Sequence, residues 1–481
     1  MRISKNNFFV ILLFLAAVMQ CFVSRGQNTV SSPYSKYGIG ETDMFKNSVN
    51  AAMGGVGYAM HRNNMVNNIN PASYSAIDSM SFVFDIGFYT NNVILRSNTA
   101  KTTGSIGGIS HIMFAFPVHK TTKIAGGLLP VSSIDFTSSE THIGDTVNIG
   151  TYKATYAGDG GVNKAFVGVS FQPGEKAGFL HNLSIGANIS YLFGNYYRSS
   201  TLSFPDSAYH LSSRIENNYK ISAFAVDFGL QYFQTLKNGD VFGIGIAYDL
   251  ANTLPTENQY RHYTYSVTAG VETIRDSVRY QDTEGEIKYP QTMGVGLSYE
   301  RPQKLFAEID ATFTEWSKLE IQSAQYTDVL KDDLRINAGI EYKPNVYGNY
   351  LQKISYRFGL NYSSGMLYLN DRQIRQYGIA LGFGLPIKKQ GTQINICFEY
   401  GKQGTKESNL IEKDFFKIGV SFSAKDRWFF KRKYQEKNNR QETNKQELEK
   451  NEKNNLHNGC LCSDFWSMGR KSSTLWQYTG R

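Results

Sequence analysis

Long runs in which apolar and polar residues alternate one by one constrain this chain more than any other feature. In one of them Leu334, Ile336, Ala338, Ile340 and Tyr342 fall on one face, and Arg335, Asn337, Gly339 and Glu341 on the other. Ile354 to Tyr362 repeats the pattern, with Arg357, Gly359 and Asn361 between apolar residues, and so does Phe242 to Leu250. Side chains change sides at every step only in a strand, so these segments are not helices. Fourteen such segments can be read, at about 80–97, 104–118, 121–137, 160–172, 181–202, 215–233, 240–252, 289–300, 304–320, 332–343, 350–364, 374–386, 392–402 and 413–424. Most are as long as the roughly 9–11 residues that a tilted strand needs to cross a bilayer. Strands of soluble domains average about 5–6.

The connectors alternate too. Those at 119–122, 235–240, 301–304 and 386–392 are short and mostly carry Lys, whereas 138–159 and 253–288 are long. Short turns on one side and long loops on the other are how outer-membrane barrels are built. The fold class expected is therefore all-β: a transmembrane antiparallel β-barrel of about 14 strands. The apolar face must look into lipid, because a charge there finds no water. The other face lines the lumen with Asp85, Asn188, Asp227, Asp249, Glu308, Asp310, Arg335, Glu341, Arg357 and Glu399. Abundant Tyr and Phe (31 each) and 44 Gly suit aromatic belts and small inward residues.

The ends divide the chain further. Arg2 and Lys5 precede eleven apolar residues, Phe8 to Val18, and Ser24-Arg25-Gly26 supplies small residues for cleavage before Gln27. Residues 1–26 thus read as a secretory signal, too short in its apolar part for a membrane helix. The expected layout continues with a plug at 27–79, a barrel at 80–424 and a charged periplasmic tail at 425–481. The net charge of +9 belongs to the two ends: the signal carries three of the excess positive charges and residues 425–481 another six. A near-neutral body excludes a nucleic-acid binder. Cys397, Cys460 and Cys462 form no disulfide framework.

Before the first strand stand Ala51-Ala52-Met53-Gly54-Gly55-Val56-Gly57 and then Asn70-Pro71-Ala72. A small-residue stretch leading to an Asn-Pro-Ala triplet resembles the N-terminal plug of the FadL/OmpP1/TodX outer-membrane hydrocarbon transporters. The resemblance implies a fourteen-stranded barrel with a hatch in its lumen that takes up long-chain fatty acids or similar apolar molecules. Ser32 to Gly40 departs from the better-known transporters.

Gly54, Gly55, Asn70, Pro71 and Ala72 are accordingly the plug or gating candidates. Pro71 steers Asn70 away from helix, and Asn can bond the backbone two residues on, which predicts a fixed turn. In the third strand Gly126, Gly127 and Pro130 predict a kink, since proline removes a ladder donor and adjacent glycines ease a bend. The resemblance implies a lateral exit there. No HExxH, Gly-x-Ser-x-Gly or phosphate loop occurs. Ser110 and His111 are neighbours, and neighbouring strand residues are expected on opposite faces. No enzyme, cofactor or metal is expected. The function expected is passive uptake of long-chain fatty acids or other small hydrophobic molecules across the cell outer membrane. Partners are then outer-membrane lipid and a hydrophobic ligand. The alternatives are a structural or assembly barrel docking a periplasmic protein partner through its tail, and a general porin.

Overall fold

The computed structural model describes residues 32–42, 45–143, 150–204, 210–268, 270–321, 329–387, 391–427 and 445–450. Fourteen strands form its wall. They are β1 Ser81–Arg96, β2 Lys101–Pro117, β3 Thr122–Ile143, β4 Thr151–Phe171, β5 Leu183–Ser203, β6 Ser212–Thr235 and β7 Val241–Asp249. The circuit continues with β8 Thr292–Arg301, β9 Leu305–Thr314, β10 Asp333–Tyr342, β11 Ser355–Ser363, β12 Gln376–Pro386, β13 Gln393–Gln403 and β14 Glu412–Arg427. Each pairs antiparallel with its neighbours, and β1 pairs with β14 from Ser81↔Arg427 to Arg96↔Glu412. The sheet is a closed barrel of fourteen strands, as the alternation requires.

The inside-out chemistry of the wall is visible in its exposures. Val167, Ile189 and Phe224 are 63 %, 63 % and 70 % exposed, whereas Asp85, Asn188 and Asp310 are at most 1 % exposed. A water-soluble protein could not leave so many large apolar side chains outward. A belt of them facing lipid is what a spanning strand needs.

Two expected loops are built differently. Residues 138–159 are mostly strand, because β3 and β4 stay paired up to Ile143↔Thr151. Residues 252–289 form a hairpin of two arms, Asn252–Thr268 and Val271–Tyr289. Its first arm pairs with the outer part of β6, from Ser212↔Tyr265 to Ile221↔Thr256. Polar composition marks these stretches as watery, and that is compatible with strands standing clear of the membrane.

Inside the barrel, the N-terminal segment supplies a 3₁₀ turn Pro33–Lys36, the short helix α1 Ser48–Ala52, and a 3₁₀ turn Pro71–Ala76. α1 packs on β11–β14 and the Pro71–Ala76 turn on β3–β6, so the plug touches opposite sides of the wall. The signal expected at 1–26 lies outside the described residues, as does the tail apart from 425–427 and a helical stretch at 445–450.

Candidate functional site

The inner half of the plug is held by side chains from the wall. Asp310 on β9 accepts from the backbone N–H of Gly57 (2.7 Å) and Tyr58 (3.2 Å), and Glu308 from that of Ala59 (2.6 Å). Gln231 on β6 and Ser298 on β8 donate to the carbonyls of Tyr58 (2.8 Å) and Ala59 (3.1 Å). Backbone groups of an irregular segment inside a barrel must be satisfied, and these side chains do it.

Asn70 is fully buried. Its amide donates to the carbonyls of Tyr58 (2.8 Å), Ile246 (3.2 Å) and Leu230 (3.3 Å), while its oxygen accepts from Ala72 N–H (3.0 Å). Pro71 opens the turn that follows. Gly54 and Gly55 lie at φ +73° and +93°, a region costly for any residue with a Cβ. A Cβ on Gly54 would also meet the Leu360 carbonyl oxygen at 2.4 Å. On the wall, Gly245 lets the Tyr58 carbonyl approach where a Cβ would stand 1.9 Å from its oxygen.

The remaining polar candidates fall into three groups. Glu341 pairs with Arg357 (2.7 Å) and with Arg62 of the plug (3.1 Å), and Arg357 also donates to Asn395 (2.9 Å). Glu399 accepts from Asn361 (3.0 Å) and pairs with Lys417 (3.7 Å), and Arg335 pairs with Asp333 (3.8 Å). Asp227 accepts from Lys164 (2.6 Å) and Asn188 (2.5 Å), and Asn188 in turn accepts from Tyr74 of the plug (3.1 Å). Asp249 faces Asp227 across the β6–β7 ladder but is exposed.

Several contributors escaped the sequence reading. Arg62 stacks on Phe306 (4.5 Å) and reaches both Glu341 and Glu300; its being the one arginine in residues 27–79 of the sequence is the signal that could have found it. Asn47 caps α1 and donates to Asp85 (2.7 Å). The expectation for Ser110 and His111 is overturned, since both are 2 % exposed. The β1–β2 register shifts between Gly87 and Phe88, leaving Ser110 as the extra residue of a bulge. Ser110 Oγ lies 2.9 Å from His111 Nδ1, and His111 Nε2 lies 3.2 Å from Asp85. The trio has the composition of a hydrolytic triad. With Asn47 closing over Asp85, it ties plug to wall.

The outer half of the lumen has a different character. Tyr34 and Ile39 pack with Ile134, Phe136, Leu192, Tyr196, Ile221 and Leu254 of the wall region, and with Trp316, Leu319, Leu330, Leu367, Ile374 and Leu410 from the outer connections. Tyr34 donates to the Ile411 carbonyl at 2.5 Å, and burial pushes its hydroxyl up to about 12. Between the two halves lie two small hollows, of about 30 and 40 Å³, which share Arg335, Ser363 and Gln376.

Among the described residues the wall itself is open at one place. β2 and β3 pair only from Pro117↔Lys123 to Ile112↔Leu128. Beyond Leu128, β3 follows β4 alone, with a register shift between Pro130 and Ser132. Gly126 and Gly127 immediately precede Leu128, the last paired residue, and Pro130 follows the parting. The seam starts near the top of the apolar belt, where β1 passes from Phe88 to Thr90 and Asn92.

A fourteen-stranded barrel with lipid-facing aromatics, a luminal plug and a parted third strand defines a FadL-type barrel fold of the outer membrane. Among solved structures the chain is similar to the CymD monoaromatic hydrocarbon channel (TM-score 0.53, 13 % identity, 81 % of this chain and 100 % of that one). It is also similar to the P. putida toluene transporter TodX (0.51, 13 %, 81 % and 100 %) and to a Pseudomonas aeruginosa FadL homologue (0.50, 13 %, 82 % and 100 %). At such identities the likeness is one of fold. A comparison with curated proteins gives no match. The family model described as BamG matches residues 7–435, and the chain belongs to the BamG family.

Proposed function

We propose that the protein is a passive outer-membrane channel for small hydrophobic molecules, long-chain fatty acids among them, with the seam at β3 as its lateral opening and the plug as its gate. The observation that carries this reading is the early end of the β2–β3 ladder at Ile112↔Leu128 beside Gly126, Gly127 and Pro130. An apolar molecule arriving from outside would meet the apolar cluster around Tyr34 and Trp316 and exchange contacts with it at little cost. The parted wall offers it a way sideways that does not pass the charged inner half. Neither step needs an energy source if movement follows a gradient. Uptake of a fluorescent long-chain fatty acid should fall at least fivefold in cells carrying Gly126→Val with Pro130→Ala, in barrels that keep their heat-modifiable mobility on gels. Unchanged uptake would remove the lateral route.

A structural or assembly role is favoured by a separate observation. The inner plug is fixed to the wall by buried carboxylates and amides, which suits a lumen kept permanently shut. A barrel of that kind acts through its surfaces and its tail. Deleting 434–481 separates the two: lost partner binding with intact uptake assigns the tail to docking. A general porin fits this packing least, and it would require steady ion conductance in planar bilayers.

A further inference from the structure

The seam has two lips, and they are treated differently. On the β3 lip the chain covers its own edge. Glu41 N–H donates to Ser133 O (2.8 Å), Ser133 N–H donates back to Glu41 O (3.0 Å), and Ser32 N–H donates to Asp135 O (3.3 Å). Backbone groups at Ser32 and Glu41, on either side of the Pro33–Lys36 turn, thus replace part of the missing neighbour. On the β2 lip, residues Lys101 to Ile109 pair with β1 and, among the described residues, with no strand on the other side.

That stretch behaves as a free edge. Lys101, Thr102, Thr103, Gly107, Gly108 and Ile109 are all exposed. Thr102 and Gly108 are exposed although they pair with Leu95 and Tyr89, which are buried in the lumen. About half of the backbone N–H and C=O groups in any such strand point toward the absent neighbour. Native proteins usually blunt an edge of this length with charges or proline. Here only Lys101, at the tip, is charged; the rest is Thr, Gly, Ser and Ile. Small side chains leave the backbone accessible, and water alone would have to satisfy it.

We propose that the Lys101–Ile109 edge of β2 is a docking site for an extended segment of a second polypeptide, which adds to the wall as a further strand at the outer-leaflet rim. The chemistry selects the occupant. Only another backbone offers donors and acceptors in register along nine residues. A lipid headgroup offers neither the spacing nor the repeat. On the facing lip the chain satisfies Ser133 and Asp135 with single backbone contacts of its own, from Glu41 and Ser32. An added strand would occupy the outer part of the seam and narrow the lateral route of the proposed function, so exchange and cross-linking read the edge while uptake reads the route.

Hydrogen exchange read by mass spectrometry tests it on the full chain, in outer membranes from its own cells and after purification in detergent. Amides of 101–109 should exchange at least tenfold more slowly in the native membrane, with β1 residues 83–96 as an internal control. A photoreactive benzophenone amino acid placed at Thr103 should give a protein adduct in those membranes. Ser105→Pro should abolish adduct and protection while the barrel stays heat-modifiable. Three results would overturn the proposal: equally fast exchange in both settings, protection that survives purification (the edge being covered by the chain itself), or an adduct to lipid alone.

Discussion

The two halves of the lumen are closed by opposite means. Toward the periplasm, the plug is pinned by directional bonds to carboxyl groups and ion pairs, among them Asp310, Glu308 and the Arg62–Glu341–Arg357 group. Toward the outside, Tyr34, Trp316, Leu367 and their neighbours pack through shape and exclusion of water. Charged bonds in a low-dielectric interior hold one geometry and are costly to break. An apolar contact is non-directional, and a hydrophobic visitor can replace it. The inner half is therefore built to stay in place and the outer half to yield.

Breaking the inner half should have the largest effect. Glu308→Ala with Asp310→Ala orphans three buried plug N–H groups, together roughly 3–6 kcal/mol. Planar-bilayer conductance should rise at least tenfold, and protease added from the periplasmic side should cut the plug. A silent, protected variant would show that the plug is held elsewhere.

Loosening the outer half should do less. Trp316→Ala removes an aromatic whose deletion from a core costs about 3–5 kcal/mol, and somewhat less where connections can relax. Conductance should stay at its low level. A cysteine introduced at Tyr196 should react about tenfold faster with an impermeant maleimide added outside. Conductance rising as much as in the carboxylate double variant would erase the contrast between the halves.

The smallest expected effect is on pH dependence. His61 lies 3.0 Å from Ser75 and against Phe233, and burial pushes its imidazole down to about 4 from 6.5. Released from the wall, the ring takes up a proton near 6.5; docked, it resists until about 4. Its contribution to plug docking is thus full above 6.5 and declines as pH falls through that window. Brief channel openings should become more frequent between pH 6.5 and 4.5, and His61→Phe should flatten the change. An unaltered profile in that variant would assign the acid response to other groups.

Much of this architecture can be read from residue order. Period-2 alternation marks all fourteen strands, because lipid on one side and lumen on the other impose it step by step. It fades at 252–289, where the second arm is exposed along most of its length and the buried side of the first carries Thr256 and Asn258 beside Leu254. There composition alone suggests a loop. Alternation also assumes that every residue advances the register. Ser110 does not, so His111 and Ser110 share a face that a strict period-2 count denies them. Glu308 and Asp310 are legible as inward carboxylates; that they serve Ala59, Gly57 and Tyr58 is not. Those contacts join positions some 250 residues apart, and no local pattern encodes them. Inward glycines such as Gly245 look like mere lumen filler until the carbonyl they admit is seen.

The unequal heights of the strands bear on the seam. β3 to β6 have 21–24 residues each, whereas β8 to β13 have 9–11. At about 3.3 Å per residue and a tilt near 45°, the longer set overtops the shorter by roughly 25 Å. The parting between β2 and β3 sits at the foot of this parapet, with the low turn of Ser97–Ala100 on its other flank. If the seam is the lateral route proposed above, whatever drifts along the cell surface toward it would be screened from one quarter and met openly from the other. The barrel, nearly symmetric within the bilayer, therefore has a front and a back above it.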